Sequence, residues 1–261
     1  MIKEIFFKKV KQKNNSLTGD FLVFDDLDYK TIVYLPPDYY SSKKKFPVLY
    51  MHDGQNLFDT YTSFVGVEWE MDETAQRLIL QKKIPSLIIV GIYNRGEKRM
   101  DDYTPVYDKT QKCGGNAEKY SNFIINILKP YIDKKLRTLV NKENTFIGGS
   151  SLGGLVSLWI GYENPNVFSK ILAVSPSVWW NEKFIINFIK EKKDIKVWLD
   201  MGTLEGRTKE HNKKILKNVK ELYKKLKKLE YDVEYTEYID ADHSERAWSQ
   251  RAEDLLLFLF S

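Results

Sequence analysis

Gly149-Ser150-Ser151-Leu152-Gly153 fits the pattern G-x-S-x-G, with Ser151 at its centre. A serine hydroxyl attacks a carbonyl only when it is exposed and a base can take its proton. The pattern suits that task for a steric reason. It holds the serine on a sharp, strained turn between a strand and a helix, and side-chain-free flanks let the turn close. The next helix then aims its free N–H groups and its dipole at the site of developing negative charge. The stretch lacks the Lys-Ser/Thr of a P-loop and the spacing of a dinucleotide fingerprint. Ser151 is therefore the expected nucleophile.

A base must follow, and the chain offers His52, His211 and His243. Where a serine sits on such an elbow, the chain order is nucleophile, acid, base, with the histidine after the last strand. His243 fits, since Asp240-Ala241-Asp242-His243 follows a strand expected at 233–239. His211 opens a lysine-rich amphipathic stretch and reads as solvated, and His52 precedes the serine and reads as loop-shaping. The orienting carboxylate belongs just past a strand at 196–199, within Asp200-Met201-Gly202-Thr203-Leu204-Glu205-Gly206. Glu205, well into the loop, is favoured to fix the imidazole tautomer. Asp200 is the competitor, although at the strand's end it can instead brace the turn through backbone N–H groups. The segment 50–59 directly follows another strand, where the fold supplies a second oxyanion donor. The backbone N–H groups of Gln55 and Leu152 are assigned to that hole. Arg99, Asp102 and Tyr103 could hold a substrate or brace the Gln55 loop. Trp69, Trp179, Trp180 and Trp248 could wall a site or fill the core.

These residues need a frame, and the chain alternates strand and helix patterns. Strands are expected at 4–10, 21–24, 31–35, 48–51, 86–93, 145–147, 170–174, 196–199 and 233–239. Helices are expected at 69–80, 116–136, 152–162, 181–190, about 209–229 and 244–260. Such alternation means a mostly parallel sheet of about eight strands with helices on both faces. No Pro/Gly/Ser linker or repeat interrupts it, so residues 1–261 read as one α/β domain, with antiparallel strands of about 1–45 in the same sheet. The 261 residues are 43% apolar and 30% charged, enough apolar content to exclude disorder. Lys and Arg total 41 against 36 for Asp and Glu, and that small scattered excess speaks against nucleic acid. The single cysteine, Cys113, excludes an internal disulfide and any CxxC site. No signal-type apolar stretch and no membrane-length run occurs, so a cytoplasmic protein without membrane contact is expected.

The chain also resembles a known family. YLPPDYY (34–40), PVLYMHDGQNLFD (47–59), R-x-x-D-Y-T-P (99–105) and GGSSLGG (148–154) carry the resemblance, with SPSVWW (175–180), GTLEG (202–206) and DHSERAW (242–248). They are similar to the esterase family of α/β-hydrolases that includes esterase D, feruloyl esterases and enterochelin esterases. The resemblance implies an α/β-hydrolase fold and a serine esterase, with Ser151 as nucleophile, His243 as base and the acid at Glu205. It also implies variation at the acid, since some relatives carry Asp there and siderophore esterases are described as using a Ser–His pair. The expected substrate is a small-molecule ester, either an acyl or feruloyl sugar ester or a siderophore-type lactone, with no metal or organic cofactor. The alternatives are a thioester hydrolase or acyltransferase with the same residues, or a non-catalytic binding protein of this fold. Self-association into a homo-oligomer is left open.

Overall fold

The computed structural model describes residues 8–9, 19–25 and 27–261. The expected strand at 4–10 therefore lies outside the described residues except for Lys8 and Lys9. In chain order the strands are β1 (Lys8–Lys9), β2 (Asp20–Phe24), β3 (Thr31–Leu35), β4 (Val48–His52), β5 (Ile88–Ile92), β6 (Tyr107–Asp108) and β7 (Cys113–Gly114). They continue with β8 (Thr145–Ser150), β9 (Lys170–Val174), β10 (Lys196–Gly202) and β11 (Asp232–Tyr238). Among the described residues, β6 and β7 pair only with each other. The other nine form one sheet in the order β1-β2-β3-β5-β4-β8-β9-β10-β11. The pairings from β1 to β5 are antiparallel and all the rest are parallel.

Alternation along each strand builds two cores. On β4, Val48 and Tyr50 join one buried cluster while Leu49 and Met51 join the other, the two-residue period of a pleated strand. All of β4, β5 and β8 is buried, which requires helices on both faces. The helices α1 (Met71–Leu80) and α9 (Ala252–Phe258) cover the face of Leu49 and Met51. The opposite face is covered by α3 (Ala117–Phe123), α5 (Leu152–Glu163), α6 (Trp180–Phe188) and α7 (Lys209–Lys228). Among the described residues, no helix is long and apolar enough to cross a membrane.

Several boundaries differ from expectation, for identifiable reasons. The strand tips β8 and β10 run three residues past their expected ends, to Ser150 and Gly202. Gly148 and Gly149 carry no β-propensity, yet parallel pairing with β9 holds them extended. The expected 244–260 helix is two, α8 (Glu245–Ser249) and α9, because Arg251 between them turns inward to ion-pair with carboxylates. The expected 116–136 helix holds a π-helical stretch at Ile124–Leu128 before α4 (Lys129–Lys135). The short α2 (Arg99–Asp102) follows β5 and serves the site below.

Candidate active site

Ser151 caps α5 at the tip of β8, with φ 58° and ψ −120°. That backbone is strained for a residue with a Cβ. It is held by Ser151 N–H donating to Val174 O (2.9 Å) and Ser177 N–H donating to Ser151 O (2.9 Å). A Cβ on Gly149 would lie 3.1 Å from two carbons of His52, so a side chain there would push His52 by a few tenths of an ångström. From this turn Ser151 Oγ reaches His243 Nε2 at 3.0 Å and Ser177 Oγ at 3.3 Å. His243 Nδ1 meets Glu205 Oε2 at 2.7 Å. Three segments separated by tens of residues thus form one hydrogen-bonded line. Trp248 packs edge-on beneath the His243 ring, with centroids 4.8 Å apart.

Glu205 and Asp200 occupy different places. The Glu205 side chain is fully buried, while that of His243 is 39% exposed. Its Oε1 accepts from Gly202 N–H (2.5 Å), Ser175 Oγ (2.5 Å) and Arg251 Nη2 (3.3 Å), leaving Oε2 to His243. Among the described residues Asp200 makes no bond to the imidazole; it accepts from Arg251 Nη1 (2.7 Å), Trp198 Nε1 (2.7 Å) and Ser175 N–H (2.9 Å). Burial pushes the Asp200 carboxyl up, and the Arg251 charge and these donors pull against it.

Arg251 and Ser175 were not among the residues singled out from sequence. Arg251 is completely buried and bridges both carboxylates. Ser175 accepts from Trp248 Nε1 (3.1 Å) and Arg251 Nη1 (2.8 Å) and donates to Glu205. Arg251 carries no local signal, standing next to Gln250 and close to Arg246, Glu253 and Asp254, and Ser175 is marked only as part of the SPSVWW stretch.

The Gln55 loop turns at Asp53 (φ 55°) into a single 3-10 turn, Gly54–Asn56. A Cβ on Gly54 would lie 2.3 Å from the Gly91 carbonyl carbon, so this glycine lets the loop lie flat on β5. Arg99 grips Asp53 with two bonds, Nε to Oδ1 (2.8 Å) and Nη2 to Oδ2 (2.7 Å). Asn94 adds a third at 2.7 Å, and the Tyr103 hydroxyl accepts Asp53 N–H at 3.0 Å. Burial alone would lift the Asp53 carboxyl, but Arg99 and Asn94 hold it below the usual carboxylate range. Asp102 pairs with Arg95 instead (2.6 and 2.8 Å). Of the two roles open to this polar group, the geometry places it as a brace of the loop. Among the described residues, Gln55 N–H meets no acceptor, and Leu152 N–H, first in α5, has none within its helix.

His52 is 1% exposed and bonds Tyr120 OH through Nδ1 at 2.7 Å. Burial lowers its pKa to about 3, so it lies in the loop's foundation, away from the line of bonds. His211 is exposed at the start of α7, where its Nδ1 accepts from Arg207 N–H at 3.3 Å. Trp69 and Trp248 pack together in the core and Trp180 is fully buried, whereas Trp179 is 42% exposed.

Two cavities meet at His243. One, of about 540 Å³, exposes Ser151 and Gln55 and is walled by Phe64, Val65 and Arg99. The other, of about 530 Å³, is walled by Trp179, Gln111, Arg207 and His211. The arrangement can take a proton from a serine, hold it and return it, with room for a group on each side.

The sequence matches the family described as "Putative esterase" over residues 26–258. The chain belongs to this family. It is a carboxylic ester hydrolase with the α/β-hydrolase fold. The protein YbbA of Bacillus subtilis is 30% identical over 203 residues, covering 75% of this chain and 76% of that one. The ferri-bacillibactin esterase BesA of the same organism is 31% identical over 205 residues, 69% of this chain and 66% of that one. Among solved structures, the BES protein of Bacillus cereus superposes with a TM-score of 0.70 at 23% identity, covering 99% and 95% of the two chains. The siderophore hydrolase EstA of Aspergillus nidulans gives 0.71 at 22% identity, covering 97% and 94%. At these identities the superpositions speak for the fold.

Proposed function

We propose that this protein is a serine esterase in which Ser151 is the nucleophile, His243 the general base and Glu205 the orienting acid. The observation that carries the reading is the continuous Ser151–His243–Glu205 line, at 3.0 and 2.7 Å. His243 Nε2 takes the Ser151 proton as Oγ bonds to the ester carbonyl carbon, and the carbonyl electrons move to oxygen. That oxyanion accepts from the N–H groups of Leu152 and Gln55, each donor contributing roughly 10²–10³ in rate. When the electrons return, the C–O bond to the alcohol breaks and the alcohol leaves with the proton from His243. Water repeats the sequence on the acyl-enzyme, releasing the acid and restoring Ser151.

For the substrate we propose a siderophore-type lactone, or an aryl ester of similar bulk. The relatives named as a ferri-bacillibactin esterase and a siderophore hydrolase support this reading. So does the paired cavity, which offers aromatic walls at Phe64 and Trp179 on either side of His243. A fluorophosphonate probe tests the chemistry: the protein should label, and Ser151→Ala should not. Unlabelled wild type would point to a binding protein. A panel of acetyl, butyryl and feruloyl sugars, a cyclic trilactone and thioesters tests the substrate. The trilactone or the feruloyl ester should lead in kcat/KM, and a preference for small acetyl esters or thioesters would reject the assignment.

A further inference from the structure

Away from the serine, three carboxylates converge at the start of α1. One oxygen from each of Glu68, Asp72 and Glu73 lies within 4.8 Å of the others. Asp72 is 2% exposed, and outside the cluster neither of its carboxylate oxygens has a hydrogen-bond partner from another side chain among the described residues. Oε2 of Glu68 and Oε2 of Glu73 are likewise buried and unpartnered. Arg77, the next cation along the chain, pairs with Glu253 instead.

A second observation comes from a different element. Tyr34 on β3 is fully buried, its hydroxyl has no partner among the described residues, and burial together with the negative charges of Asp72, Asp38 and Glu73 pushes its pKa up. Gln76 Oε1, one turn after Asp72 on the same helix face, is also buried without a donor among the described residues. Among the described residues, the site is thus a set of buried oxygens with no cation paired to them. Buried like charges must be neutralised by a proton or a cation. An oxygen-only donor set built from carboxylates is the ligand class of a hard divalent ion. Calcium holds such oxygens at about 2.3–2.6 Å in a tolerant geometry, so two on one ion can stand almost 5 Å apart.

We propose that Glu68, Asp72 and Glu73 bind one calcium ion. The ion would join the residues on either side of the left-handed turn at Glu70 (φ 51°). That turn is already tied to the Gln55 loop, because Trp69 N–H donates to Asn56 O (2.9 Å) and Met71 N–H to Leu57 O (3.1 Å). Asn56 Oδ1 in turn accepts Phe64 N–H at 2.9 Å. Calcium would therefore anchor the segment carrying Phe64 and Val65 along the Ser151 cavity.

The test uses the full chain, stripped with EGTA and titrated with calcium chloride by calorimetry and thermal unfolding. The expected result is one ion per chain and a midpoint rise of roughly 5–10 °C at calcium a hundred-fold above Kd. Asp72→Asn and Glu73→Gln should each weaken binding at least ~10-fold. In EGTA these variants should unfold no lower than wild type, because a buried charge has gone. Absence of heat and of any midpoint shift in the wild type would overturn the proposal. So would a shift that both variants keep. If protons neutralise the cluster, wild-type stability in EGTA falls as pH rises and calcium does not restore it; that outcome also overturns the site.

Discussion

Glu205 and Asp200 show how little separates a proposed catalytic acid from a structural one. Both are buried and both touch Arg251, but Glu205 alone bonds His243. Glu205→Gln keeps the shape and removes the charge that favours the imidazolium, so kcat should fall about 10³–10⁴-fold. Asp200→Asn should retain most turnover and instead lower the unfolding midpoint, because it leaves Arg251 with a weaker buried partner. Steady-state kinetics beside thermal unfolding separates the two, and the reverse ranking would move the acid to Asp200. His52 carries a different prediction. Its folded pKa of about 3 lies below the usual value near 6.5, so the unfolded chain binds the proton first. Stability is then full above about pH 6.5 and falls as pH drops toward 3, by roughly 3 kcal/mol at pH 4. Denaturant titrations at pH 7 and pH 4 should show this slope, and His52→Gln should flatten it.

Among the elements, the loop after β4 is the one whose position matters most for the proposed chemistry. Its Gln55 N–H follows a left-handed turn at Asp53, whose carboxylate is gripped by Arg99 and Asn94. Arg99→Ala would leave the Asp53 carboxylate buried without its cation, and the loop should shift to reach water. A displaced oxyanion donor lowers kcat by about 10²-fold while ground-state binding changes less. Arg99→Lys should recover only part of this, since an ammonium cannot make the two-pronged contact. A rise in KM with kcat unchanged in Arg99→Ala would instead place Arg99 on the substrate.

For the molecule as a whole, parallel strand tips gather the functional loops at one sheet edge, as expected for open α/β folds. The loops after β4, β8, β9, β10 and β11 all reach the Ser151–His243 line. The cavities on the two sides of His243 give substrate preference a place to be read. Trp179→Ala removes the exposed aromatic wall of one lobe, and it should raise KM for aryl or lactone esters several-fold while sparing a small acetyl ester. Uniform loss across both substrates would mean that Trp179 only supports the fold.

Much of this could be read along the chain. Period-two and helical patterns gave the α/β alternation, because backbone hydrogen bonding and burial act over a few residues. The glycine spacing around Ser151 and the order serine, glutamate, histidine named the line of bonds, since a strained elbow tolerates few side chains. The choice between Glu205 and Asp200 stayed open, as did the role of Arg99, because each depends on which way a side chain points after distant segments pack. The roles of Arg251, Ser175 and the carboxylates at the start of α1 were invisible for the same reason. A charge or hydroxyl becomes informative when burial removes its water and leaves a neighbour from another strand or helix as the partner. That partner is fixed by packing in three dimensions, over sequence separations that no local pattern records.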